Sequence, residues 1–310
     1  MIKIIIFILS LVTITQCQTK NVCFSIDDLP FVAYGISDTV FQRELMERLI
    51  SSLEKNEIPA IGFVNENKLF SDGKVSIFKT GLLEKWCEMG LELGNHTFSH
   101  PDYNNTSFKD YTADILKGEI QTKKILKSKN RKLKYFRHPF LHVGNTKSKA
   151  DSLDEFLSSQ GYIVAPVTID NDDYLFALAY HRANLKKDKK LMLQIGHDYV
   201  EYIEKKLLYY EKQSNNLFGR NINHIQLIHA SLLNSVYLDS LAGMFRRNNY
   251  KFISMDEALN DTVYQTEICK YGNWGISWID RWALSMGKKS DFFKDEPATP
   301  DYIIKLSESK

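Results

Sequence analysis

The chain has little cysteine, no internal repeat, no low-complexity segment and almost no net charge. Its four cysteines among 310 residues form no C-x-x-C pair, which excludes a structural zinc site built from thiolates. Cys23, on a strand pattern, and Cys87, on an amphipathic helix pattern, read as small buried hydrophobes. Nothing specifies a disulfide, to Cys269 or otherwise. A formal net charge of +2 points to no polyanionic partner. The basic run from Lys123 to Lys134 carries no interleaved aromatics and ends a helix-like segment. It reads as a solvated helix end, not as a nucleic-acid surface.

The N-terminal apolar run, Ile4 to Ile14, follows a single lysine and is too short to span a bilayer. Residues 1–17 therefore read as a secretory signal. Cys17 offers a second ending, a lipidated lipoprotein cysteine, although Gln16 departs from the small residue usual before it. The expectation is an exported protein: periplasmic, secreted, or a cell-surface lipoprotein whose lipid on Cys17 is its one link to the membrane.

What is present fits a folded protein with a large core. Hydrophobic residues make up 44% and charged residues 25% of the chain, and the length suits one large domain or two ordinary ones. Strand patterns fall at Asn21–Ile26, Ile58–Val64, Leu91–Gly94, Leu133–Arg137, Tyr162–Ile169, His224–His229 and Tyr250–Ser254. Helical patterns lie between them at Asp38–Asn56, Ser76–Gly90, Ser107–Ser128, Lys147–Gln160 and Asn234–Asn248. Asp38 suits an N-cap, and Gly90 and Gly161 suit helix stops. Alternation of this kind predicts an α/β fold with about seven parallel strands, either a barrel or a doubly wound sheet. Leu175–Phe218 breaks the rhythm with a long helical pattern, read as an insertion of one or two helices into a domain over 18–260. The Trp-rich tail, 261–310, is expected to wrap the core.

In parallel α/β folds the chemistry gathers at the C-terminal ends of strands. The stretch LGNHTFSHPDY, Leu93 to Tyr103, places His96 and His100 four residues apart just past the third strand. SIDDLP puts Asp27 and Asp28 at the end of the first strand, and FRHPF puts Arg137 and His138 at the end of the fourth. TIDNDDY puts Asp170, Asp172 and Asp173 past the fifth, and IQLIHAS puts His229 at the end of the sixth. Taken singly, each has an ordinary explanation: a turn, a cap, a surface arginine, a core histidine. Their shared location favours chemistry. Two imidazoles and a carboxylate make a facial ligand set for a divalent cation with open positions. A second carboxylate could accept a proton from a water acidified by the ion, and a histidine across the site could protonate a leaving group. That describes metal-assisted hydrolysis.

These five stretches together resemble the polysaccharide deacetylase family, the NodB-type carbohydrate esterases. The family's T-F-D-D-G-P is present as SIDDLP, its H-S/T-x-x-H as HTFSH and its R-x-P-Y-G as RHPFL. Its D-x-x-D-W is present as DNDDY and its L-x-L-H as LIH, so the resemblance runs from about Asn21 to Leu259. The resemblance implies a distorted (β/α) barrel of about seven strands and a divalent ion, zinc first, with cobalt or nickel able to substitute. It implies Asp28, His96 and His100 as metal ligands and Asp27 as general base oriented by Arg137. It further implies the Phe140 N–H for the oxyanion, and His229 as general acid oriented by Asp173. Leu29, Leu141 and Tyr174 depart from the family's Gly, Gly and Trp. They are expected to line the pocket and to bear on the substrate, which the resemblance makes an acetylated glycan such as chitin-like oligomers or peptidoglycan. The alternative is an inactive carbohydrate-binding protein on the same fold, which the intact Asp27, Asp28, His96, His100 and His229 argue against.

Overall fold

The computed structural model describes residues 20–308. The expected signal segment, with Cys17, lies outside the described residues. The strands are β1 (Lys20–Val32), β2 (Ile61–Val64), β3 (Phe70–Ser71), β4 (Lys74–Val75), β5 (Glu92–Asn95), β6 (Tyr135–Phe136), β7 (Ile163–Val164), β8 (Asn223–Ser231) and β9 (Tyr250–Phe252). Helices α1 (Thr39–Lys55), α2 (Ile77–Glu88), α3 (Phe108–Lys117), α4 (Ile120–Ser128) and α5 (Lys147–Ser159) follow the early strands. After β7 come α6 (Asp173–Leu185) and α7 (Lys189–Phe218), and after β8 comes α8 (Leu232–Arg247). The chain closes with α9 (Met255–Leu259), α10 (Trp278–Ser285), α11 (Ser290–Phe293) and α12 (Asp301–Glu308).

The large sheet is parallel, in the order β7-β6-β5-β2-β1-β8, with β9 beside the first residues of β1. Its two edges meet. Beyond β7 the chain runs on to Ile169, which bridges Gln226 of β8, and the Thr168 and Ile169 N–H groups both donate to Ile225 O at 3.0 Å. The sheet therefore curls into a distorted (β/α) barrel, which decides between the two architectures that hydrophobic periodicity left open.

Period-two alternation along β1 sets what faces where. Val22, Phe24 and Ile26 join the outer core with Leu45, Leu49 and Leu53 of α1 and Trp86 of α2. Cys23 faces inward, in a small inner cluster with Phe63, Tyr135, Ile225 and Met255. Cys23 and Cys87 are both buried, as their apolar settings predict. Ser25 and Asp27 continue the inward row above Cys23, so the interior changes from apolar floor to polar mouth along one strand.

Several expectations are corrected in detail. The first strand does not end at Asp27 and Asp28 but continues to Val32, with its register broken between Ile26 and Leu29 against β2. The 66–76 segment carries a short antiparallel pair, β3 with β4, which has no clear alternation in sequence. The helix expected over Ser107–Ser128 is two helices, broken at Gly118. There a Cβ would lie 2.4 Å from the Thr97 carbonyl carbon and 2.5 Å from Phe98 N. The backbone of the His96–His100 loop occupies that space, so the break falls at a position where only glycine fits. Glu66 then caps the new helix start, accepting the Gln121 and Thr122 N–H groups at 3.1 and 2.7 Å. Gly118→Ala is expected to cost ~1–3 kcal/mol and to weaken divalent-ion binding in parallel. Unfolding in urea and a zinc titration check this, and unchanged values in both would refute it.

Leu29 is also corrected. It is fully buried and packs where a Cβ on Gly62 would stand, so it belongs to the core and not to the pocket wall.

Candidate metal and acid–base site

β1 and β8 lie side by side with Asp27 opposite His229 in register, and β5 and β6 are paired at Asn95 and Phe136. The polar residues near the C-terminal end of each strand thus arrive at one mouth. Asp27, Asp28, His96, His100, Phe140, Leu141, Tyr174 and His229 line one cavity there of about 560 Å³.

In a regular strand Asp27 and Asp28 would point to opposite faces. Asp28 instead has φ 69°, in the left-handed region, inside the register break. This β-bulge re-aims the second carboxylate. Both now approach His96: its Nε2 lies 3.7 Å from Asp27 Oδ2 and 3.9 Å from Asp28 Oδ1. His100 Nε2 is also 3.9 Å from Asp28 Oδ1.

The loop between the histidines is held from several sides. Asn95 Oδ1 accepts the Thr97 N–H, and Thr97 Oγ1 accepts the His100 N–H at 3.0 Å. Asp114 of α3 accepts the N–H groups of Phe98 and Ser99. Thr97 and His100 both have positive φ, which non-glycine residues adopt mainly where surrounding structure enforces it. Pro101 is consistent with this, since it disfavours a helical His100.

The donor set fits a divalent cation. His96 Nδ1 is 2.9 Å from the Arg137 carbonyl oxygen, so Nδ1 donates and Nε2 keeps its lone pair. Burial holds the His96 and His100 imidazoles down to about 4, neutral at physiological pH. For Asp28 burial favours the neutral acid, yet Lys68, His100 and His96 together bring its carboxyl well below the usual range. Lys68 Nζ takes Asp28 Oδ2 at 2.9 Å, while Asp28 Oδ1 is buried with no hydrogen-bond partner. One orphaned carboxylate oxygen lies 3.9 Å from the Nε2 atoms of both imidazoles, a donor set that fits a divalent cation held by two nitrogens and one oxygen.

The acid–base groups flank it. Burial, only partly countered by Arg137 and His229, raises the Asp27 pKa. Arg137 does not touch Asp27 by a hydrogen bond. Its Nη2 donates to Ser25 Oγ at 2.8 Å, and its guanidinium stacks 4.7 Å from the Phe63 ring. Its action on Asp27 is through space.

His229 Nδ1 is 2.7 Å from Asp173 Oδ1, and Asp173 Oδ2 accepts the His229 N–H and Asn234 Nδ2 at 2.8 Å each. Burial opposes charge on His229, but Asp173 outweighs it and pushes the imidazole up to about 9. Asp27 inclines to accept a proton and His229 to hold one, the paired arrangement that acid–base chemistry requires.

Asp170 and Asp172 both line the cavity; Asp172 Oδ2 accepts from Thr299 Oγ1 at 2.7 Å, and burial raises Asp170 to about 7. His138 also lines the cavity. Lys68, Asn234 and Ser25 escape a reading by motif. Ser25 had a signal, a hydroxyl two residues before Asp27 on an apolar strand. Lys68 and Asn234 had none, being ordinary surface types until the fold brings them in. The tail completes the wall: Arg281 Nη2 donates to Leu141 O at 2.7 Å, and a Cβ on Gly275 would lie 1.8 Å from Phe140 O.

The polysaccharide deacetylase family model matches residues 16–155, a segment that carries Asp27, Asp28, His96, His100 and Arg137 but ends before Asp173 and His229. No curated protein sequence gives a match. Among solved structures the chain is similar to PdaA of Bacillus subtilis, a family 4 carbohydrate esterase, at 16% identity and TM-score 0.49, over 80% of this chain and 82% of that one. It is similar to the peptidoglycan deacetylase PdaC of Bacillus subtilis at 18% identity and TM-score 0.47, over 78% and 93%. It is similar also to a family 4 pseudoenzyme of Bacillus anthracis at 18% identity and TM-score 0.46, over 78% and 66%. The segment that spans the paired aspartates, the two histidines and Arg137 is thus similar to the polysaccharide deacetylase family.

Proposed function

We propose that the chain is a metal-dependent hydrolase that removes acetyl groups from an N-acetylated glycan, with O-acetylated sugars open to the same chemistry. The observation that carries this reading is the orphaned Asp28 Oδ1 set between the His96 and His100 nitrogens, with Asp27 and the Asp173–His229 pair in the same cavity. Asp28, His96 and His100 would hold the ion. Bound there, a divalent cation supplies Lewis acidity that makes a water proton removable near neutral pH. Asp27, raised by burial, accepts that proton. His229, kept protonated by Asp173, passes one to the departing amine nitrogen. Phe140 presents its backbone N–H for the oxyanion, and Arg137 lowers the cost of charge on Asp27 without contacting it. Tyr174, half exposed at the cavity mouth beside His229, contacts the sugar.

The expected location is outside the cytoplasm, where acetylated cell-wall or chitin-like glycans are met. Among the described residues no helix is long and apolar enough to cross a membrane.

Mass spectrometry of acetyl release from a panel of acetylated sugars, with and without zinc, tests the reading. About one divalent ion per chain is expected, zinc best suited to an N,N,O set and cobalt or nickel able to replace it. A chelator should abolish turnover, and His96→Ala should lose metal and activity together. Full activity in metal-free protein would overturn the reading. Glycan binding with no acetyl release under any metal would leave the binding-only alternative.

A further inference from the structure

The cavity wall holds a second carboxylate–imidazole pair that the chemistry above leaves unused. His142 Nδ1 lies 2.6 Å from Asp102 Oδ1, and His142 lines the same cavity as Asp28, His96 and His100. Asp102 is itself fixed, accepting the Asn104 N–H at 2.8 Å and Asn105 Nδ2 at 2.6 Å. A carboxylate at Nδ1 places the proton of a neutral imidazole there, so Nε2 on the opposite edge carries a lone pair. That Nε2 makes no hydrogen bond among the described residues.

The C-terminal tail also packs beside the ring. A Cβ on Gly275 would stand 3.2 Å from His142 Cδ2, so the tail backs one edge while Asp102 holds another. Beside it lies Phe140, 54% exposed, whose ring centroid is 5.8 Å from His142 and 4.5 Å from His100. Three rings thus run in a row from a candidate metal ligand, across an exposed aromatic plate, to a fixed acceptor. Pockets for small ligands are mostly apolar with a few placed polar groups that set orientation. The row has that composition.

We infer that His142 is a substrate-positioning and specificity-determining residue whose Nε2 accepts a hydrogen bond from a ring hydroxyl of the sugar seated against Phe140. The inference rests on the deacetylase reading. A simple staple between Asp102 and His142 would explain the 2.6 Å contact but would give the pocket-facing edge no role.

The test uses the zinc-loaded full chain with oligomers of N-acetylglucosamine, the matching 3-, 4- and 6-deoxy substrates, and an aryl acetate as a reference without sugar. His142→Ala should lower the ratio of glycan to aryl acetate kcat/KM about tenfold, chiefly through KM. With one deoxy substrate the wild type should already show that loss, and His142→Ala should add nothing to it. His142→Gln, whose amide oxygen can accept from a hydroxyl, should recover part of the ratio. Asp102 is left intact because it also holds the 102–105 turn. An unchanged ratio, or an equal loss on all deoxy substrates, with a folded variant would overturn this inference while leaving the deacetylase reading standing. Failure of the wild type to release acetyl from any glycan would overturn both.

Discussion

His229→Ala should lose about two to four orders of magnitude in turnover of an acetamide, and far less on an activated aryl acetate. An amine leaves poorly unless it is protonated as the C–N bond breaks, whereas a phenolate needs no such help. The geometry sets up the proton for this step. Asp173 holds Nδ1 at 2.7 Å, leaving the Nε2 edge towards the cavity. With the imidazole pushed up to about 9, His229 is protonated through the neutral range, and the acid-dependent rate should decline as pH rises through that value. Asp173→Asn removes the charge that raises it, so the alkaline limb should move to lower pH. Metal content in His229→Ala should stay unchanged. Equal losses on amide and ester would remove His229 from the acid role, and normal amide turnover in a folded variant would return it to packing.

Asp27→Asn and Asp28→Ala should separate along a different line. The first should retain its divalent ion and lose on the order of a thousandfold in turnover, because an amide cannot accept the water proton. The second should lose the ion itself, because Asp28 Oδ1 is the carboxylate oxygen between His96 and His100. Raised by burial, Asp27 also predicts an acid limb above the ordinary carboxylate range: activity needs its ionised form and should fall as pH drops through its pKa. Metal analysis of both variants by plasma mass spectrometry decides the assignment. Metal lost from Asp27→Asn and kept by Asp28→Ala would reverse the two roles.

Much of the site was legible because its residues follow apolar strands, and parallel strands deliver their ends to one face. The five motifs needed only that rule to be placed together. The inner row of Cys23, Ser25 and Asp27, alternating with Val22, Phe24 and Ile26, emerged only with the folded strand. The break at Gly118 was not legible either. The 107–128 pattern is helical throughout, and the close approach that demands glycine at 118 comes from a backbone some twenty residues away, at Thr97 and Phe98. Leu29 was misplaced for a similar reason. Its standing where the resembled family has glycine suggested the pocket, but the register break turns it into the core against Gly62.

By itself, then, the sequence determined the α/β class, the order of strands and helices, and the residue types gathered at the strand ends. These depend on local periodicity and on a topological rule, both of which act without knowledge of distant contacts. Tertiary structure decided barrel closure, through the Ile169–Gln226 bridge, and the aim of the two adjacent carboxylates. Consecutive residues on a strand diverge by default; only the left-handed φ of Asp28, within a sheet that tolerates a bulge there, brings both to His96. Tertiary structure likewise brought in Lys68, Asn234 and the Asp102–His142 pair, whose positions depend on turns and packing that no single segment specifies.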